Sequence, residues 1–103
     1  MQRVEPSKVL EFLESLGSTS EEIADTLAFN GVTGFPTHAR SCALSVALER
    51  KFAAFFSVGI SNVKQVRAEG GVEGPAIPLS ATLQEFTLKF DMRKYPELIE
   101  QER

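Results

Sequence analysis

The chain has 103 residues, 43% of them hydrophobic, with eight Phe, no Trp and a formal net charge of −3. That length fits one domain, 1–103, and the apolar share supports a real core, which argues against a disordered chain. The single Cys excludes an internal disulfide framework and a cysteine-based zinc site within one chain.

The N-terminal stretch MQRVEPSKVLEF lacks the apolar run of a signal peptide, and no stretch approaches the roughly 20 apolar residues of a membrane span. A cytoplasmic setting with no membrane contact is the expectation. The charge is segregated. Residues 1–36 carry two bases and six acids, −4; residues 37–68 carry five bases and one acid, +4; residues 69–103 carry four bases and seven acids, −3. Either the acidic ends pack around the basic middle and neutralise it, or a basic face meets an acidic partner.

Residues 6–16 read as a helix. Val9, Leu10, Leu13 and Leu16 form one apolar stripe, Pro6 suits the first turn, and Gly17 suits the end. A second helix follows Thr19, which stands three residues before Glu22 as in a capping box; Ile23 and Leu27 face inward and Asn30-Gly31 stops it. Residues 31–38, with two Gly and one Pro, form a loop.

A third helix is expected over roughly 39–52. Its apolar residues cover most of the circumference, so it is expected to be the buried spine. The pattern then turns to Phe, Val and Ile. A strand is predicted near 54–60, a turn at Ser61-Asn62, a second strand near 63–68 and a short extended segment at 72–77. Val63 and Val66 have opposite parity, which predicts a bulge or an exposed apolar residue.

Ser80 or Thr82 caps a fourth helix, with Thr82 and Glu85 spaced as a second capping box. Leu83, Phe86 and Phe90 line its inner face, and it ends near Asp91. Pro96 opens a short terminal helix held by Leu98 and Ile99. The fold class read from this is α+β: four to five helices packed with a small antiparallel meander of two to three strands.

Candidate chemistry centres on His38 and Cys42. If residues 38–42 are helical, the two side chains lie about 5–6 Å apart at Cβ, where an imidazole activates a thiol. Against this, Cys42 falls in the apolar arc of the helix, and no Asp or Asn close in sequence orients the histidine. One His and one Cys also fall short of a metal site. GGVEG at 70–74 has no following helix or Lys, so it reads as a turn rather than a phosphate cradle. No catalytic residue, metal or cofactor is therefore assigned.

Phe52, Phe55, Phe56, Val58, Ile60, Val63 and Val66 cluster around a small sheet with two faces and exposed edges, of which one domain's helices are expected to cover only one face. They are the expected interface of a non-enzymatic protein-interaction or regulatory module that pairs with itself, as a homodimer, or with another protein. The alternative is a nucleic-acid-binding regulator that uses Arg40, Lys51, Lys64 and Arg67.

Two resemblances bear on these readings. Ile23-Ala24 and Leu27 are similar to the first helix of a helix-turn-helix motif, which implies DNA binding by the helix that follows. The stretch from Asn30 to Ala39 is longer than the roughly 3–4-residue turn of that motif, and the following helix is apolar. Over the last two thirds, the chain resembles a family of short uncharacterised proteins of actinobacterial and phage genomes. The residues are Cys42-Ala43-Leu44, Ser57-Val58-Gly59, Pro78-Leu79, Phe86, Phe90-Asp91 and Tyr95-Pro96-Glu97-Leu98, with Ala43 where that family tends to have proline. The resemblance implies a cytoplasmic accessory protein without an assigned reaction.

Overall fold

The computed structural model describes residues 3–100. Helices α1 (Pro6–Glu14), α2 (Ser20–Phe29) and α3 (Ala43–Phe52) precede strands β1 (Phe55–Val58), β2 (Asn62–Val66) and β3 (Ile77–Pro78). Helix α4 (Ala81–Asp91) and a single 3-10 turn, Pro96–Leu98, complete the order. The strands form one antiparallel sheet in the order β1-β2-β3, so the architecture is α+β as the patterning predicts.

Local rules set most helix boundaries. Pro6 sits in the first turn of α1, and Val9 and Leu13 are fully buried on its inner stripe. The Thr19 hydroxyl accepts from the Glu22 N–H, capping α2. The reciprocal half of the capping box is displaced by one residue: the Glu22 carboxylate accepts from the N–H and hydroxyl of Ser18. Ser80, not Thr82, caps α4 through the Leu83 N–H. The expected Thr82–Glu85 box does not form, because Glu85 reaches across to Ser20 on α2.

Helix α3 starts later than the pattern predicts, at Ala43 rather than 39. Residues 35–41 instead close on themselves: His38 N–H bonds the Phe35 carbonyl, Ser41 N–H the His38 carbonyl, and Phe35 N–H the Ser41 carbonyl. Two distant groups hold this loop. Thr37, left-handed at φ 65°, gives its N–H to Asp91 Oδ1 at 2.8 Å, and the Ala39 carbonyl accepts from Val58 N–H. Gly34 fits underneath, where a Cβ would come within 2.5 Å of the Ala43 backbone nitrogen.

The sheet resolves the parity conflict without a bulge between β1 and β2. Phe56 faces Gln65 and Val58 faces Val63 on the covered side; Phe55 faces Val66 and Ser57 faces Lys64 on the other. Val66 is thus buried on the far face, opposite Phe55 and bridged to Val72, rather than bulged or exposed. The irregularity falls on the third strand. Between the Val63–Ile77 and Val66–Val72 pairings β2 advances three residues and the other segment five, with Gly74-Pro75-Ala76 taking up the difference.

Helix α3 packs on β1 and α2 packs on α4. Leu44 and Leu48 of α3 are buried with Phe56, Val63, Leu83, Phe86 and Phe90, so α3 is the expected spine. Among the described residues, no helix is long and apolar enough to cross a membrane.

Candidate functional site

The His38–Cys42 pair does not have the geometry expected of it. Cys42 is the residue before the first turn of α3, and His38 lies in the preceding loop, so no helical i, i+4 relation exists. The His38 ring lies against Phe35, with centroids 5.8 Å apart. Cys42 is buried, with Sγ 3.3 Å from the Ser45 hydroxyl, which itself bonds the Ala39 carbonyl. Burial pushes the Cys42 thiol above its ordinary pKa, against the hydrogen bonds that favour the thiolate. Asp91 adds to that shift.

Asp91 is the acid that sequence proximity did not reveal. It comes from the end of α4, 54 positions beyond Thr37, and shares a depression of about 230 Å³ with His38, Cys42, Thr87 and Ile60. A second depression of about 440 Å³ on the other side of His38 is lined by Phe35, Arg93 and Glu100. The Asp91 carboxylate is engaged by the Thr37 N–H, and the thiol is held neutral, so this corner lacks an activated nucleophile. Among the described residues, no group of three or more His, Cys, Asp and Glu is placed to hold a metal.

A polar knot between α2 and α4 has a Ser–Lys pairing that no local signal announced. Ser20 Oγ, almost fully buried, donates to Glu85 at 2.7 Å and lies 3.4 Å from Lys89 Nζ. Lys89 bridges Glu21 at 3.1 Å and Glu85 at 3.2 Å. These carboxylates hold the Lys89 ammonium above its ordinary pKa, Glu21 first and Glu85 next. A lysine kept charged cannot act as a base toward Ser20, so the knot clamps two helices rather than activating a nucleophile.

The strand residues expected at an interface are mostly inside. Phe56, Val58 and Val63 belong to the core, and Val66 is buried on the far face. Phe52 is half-buried, edge-on to Phe12 at 5.8 Å and tilted against Phe56; Phe55 is half-buried opposite Val66. Ile60 alone of the seven is exposed, at 58%. Helix α3 packs on β1 and covers one face of the sheet, and the far face pairs Ser57 with Lys64 beside its one apolar pair, Phe55 with Val66.

The four candidate bases divide. Arg40 and Arg67 meet along the Gly70-Gly71 turn, where Arg40 Nη2 donates to the Arg67 carbonyl at 2.9 Å and Arg67 Nε pairs with Glu73 at 2.8 Å. Lys64 stands on the far face of the sheet, and Lys51 near the end of α3. Arg40 does not share α3 with Lys51, as the longer helix would have required. The helix-turn-helix geometry is absent too: residues 30–42 separate α2 from α3, and Ala43, Leu44, Ala47 and Leu48 of α3 are buried.

The least expected surface lies among the helices. Two adjoining depressions, of about 290 and 360 Å³, share Phe12 and Lys51. The first has an apolar floor of Leu16, Leu27, Val32 and Ala47 with Arg50 at its rim; the second adds Lys8, Glu11 and Phe52. Arg50 Nη1 reaches the Asn30 and Gly31 carbonyls at the end of α2, at 3.3 and 3.4 Å. Beside Asn30 stands Phe29, 91% exposed. The other seven Phe are buried or half-buried.

The chain matches no protein-family model, no curated protein and no solved structure.

Proposed function

We propose that this chain is a small non-enzymatic protein-interaction module of the cytoplasm that associates with itself. The observation that carries the reading is Phe29: one phenyl ring in eight is turned fully to water, next to a basic-rimmed apolar depression. A benzyl group left in water forfeits much of the roughly 150–250 Å² of burial that an aromatic side chain offers, and a partner surface recovers it. Ile60, Leu88 and Met92 add further exposed apolar area. An accessory role of this kind is also what the resemblance to short actinobacterial and phage proteins implies. Light scattering from low to high micromolar concentration tests it. The mass is expected to rise toward an oligomer, and a monomer mass throughout contradicts the reading.

A nucleic-acid-binding role is the alternative, and the meeting of Arg40 with Arg67 is the observation in its favour. Replacing Arg40, Lys51, Lys64 and Arg67 together by Ser should then abolish a low-salt mobility shift. Absence of any shift with the unaltered protein removes the alternative.

A further inference from the structure

We propose that the partner surface is a second copy of this chain, docked so that Phe29 of each copy enters the depression between α1 and α3 of the other. This inference rests on the self-association reading and names its geometry. Three observations carry it. First, the outer face of α2 is an acid-and-aromatic stripe: Glu22, Asp25 and Phe29 stand at i, i+3 and i+7, and all three are exposed. Second, the depression presents the complement, an apolar floor under Arg50 and Lys51. Among the described residues neither base is in an ion pair, and neither is Asp25.

Third, the projecting ring and the depression adjoin. Asn30 follows Phe29 in the chain, lines the depression and gives its carbonyl to Arg50. A self-complementary two-fold contact needs such an arrangement, because a residue and its counterpart must lie on one patch. An axis passing between Phe29 and the depression seats both rings at once and sets Asp25 of each copy against Lys51 of the other. The chain's opposed segment charges, −4 over 1–36 and +4 over 37–68, favour the same pairing.

Sedimentation equilibrium on the full chain tests this with five samples: the unaltered chain, Phe29→Ser, Asp25→Lys, Lys51→Glu, and an equimolar mixture of the two charge variants. All three sites are exposed, so the variants should keep the unaltered thermal transition at low concentration. Phe29→Ser is expected to raise the dimer dissociation constant by about thirtyfold. Each charge reversal alone should weaken the dimer by about tenfold, and the mixture should recover most of the loss, because a dimer of one copy of each has one native Asp25–Lys51 contact and one with its signs exchanged. If the unaltered chain associates but Phe29→Ser leaves the constant unchanged, or the mixture fails to recover, the docking is wrong and self-association stands on another surface. If the unaltered chain remains a monomer to high micromolar concentration, the docking and the self-association reading fall together.

Discussion

Helices α2 and α4 are built alike and used differently. Each begins at a hydroxyl cap, Thr19 or Ser80, and each ends in the same paired turn, with Gly31 and Val32 bonding back to Ala28 and Leu27, and Arg93 and Lys94 to Phe90 and Lys89. They pack on one another through the Ser20–Glu85–Lys89–Glu21 knot. Their aromatic rings point opposite ways. Helix α4 buries Phe86 and Phe90, stacked 6.2 Å apart, with Tyr95 5.3 Å beyond Phe86; α2 packs inward with Ile23, Ala24 and Leu27 and gives its ring to water. Identical construction with opposite placement of the ring means that the exposure of Phe29 does not follow from how its helix is held.

The largest effect separates the two rings directly. Phe86→Ala removes a fully buried ring from a three-ring stack and should cost about 3–5 kcal/mol. Phe29→Ala, at a concentration where the chain is monomeric, should change stability by less than about 0.5 kcal/mol. Urea denaturation of both variants measures the difference. A loss above about 1 kcal/mol for Phe29→Ala would place that ring against its own chain and erase the contrast.

The knot between the two helices gives the next effect, and it is set by pH. Hydrogen bonding lowers the Glu21 and Glu85 carboxyls below their usual 4.5, chiefly from Lys89 in the first case and from Ser20 and then Lys89 in the second. A carboxyl lowered in the folded state contributes stability above its unfolded value, and that contribution is lost as pH falls through the lowered one. At the alkaline end, Lys89 is raised above 10.5, so its contribution is complete below that value and is lost as pH rises through the raised one. Cys42, raised above 9.0 by burial, likewise lowers stability once the unfolded thiol ionises. The stability profile should therefore be flat from about 4.5 to about 9 and fall at both ends. Lys89→Met should bring the acid fall to higher pH, because it removes the leading cause of the Glu21 shift. Superimposable acid limbs would show that the Lys89 bridges add nothing to the contact between α2 and α4.

This contrast also shows where the sequence was legible. Features decided within one helical turn could be read from it: Pro6 opening α1, the hydroxyl caps, the inner stripe of Leu83, Phe86 and Phe90, and the end of α4 at Asp91. Features decided across the fold could not. The start of α3 moved because Asp91 and Val58 capture the loop at Thr37 and Ala39 from far along the chain. The strand side chains were read as an interface because alternation gives a strand's faces but not what covers them. Gln65 illustrates the same gap: a residue type expected in water sits on the covered face, where its Oε1 accepts from the Val4 N–H at 2.7 Å. The Phe29 surface was missed because an i, i+3, i+7 stripe with two acids reads as an ordinary wet face until the basic depression beside it is seen.

The smallest effect tests whether the two helix ends are as equivalent as their hydrogen bonds suggest. Gly31 and Arg93 occupy the same left-handed position, at φ 68° and 62°. A Cβ at Gly31 would meet nothing within 4 Å, so any cost of Gly31→Ala is conformational and not steric. That cost should be about 1 kcal/mol, the penalty of a left-handed L-residue. Arg93 already bears the penalty, and Arg93→Gly should return about 0.5 kcal/mol, because glycine's extra freedom in the unfolded chain offsets part of the relief. In thermal melts the shift is a few degrees, downward for the first variant and upward for the second. A stabilisation absent at Arg93 would mean that its side chain, at the edge of the depression it shares with His38, makes contacts that compensate the strain. The left-handed residue that ends α4 would then contribute through its own side chain, whereas at the end of α2 the side-chain contacts come from Asn30 and Arg50 and none can come from Gly31.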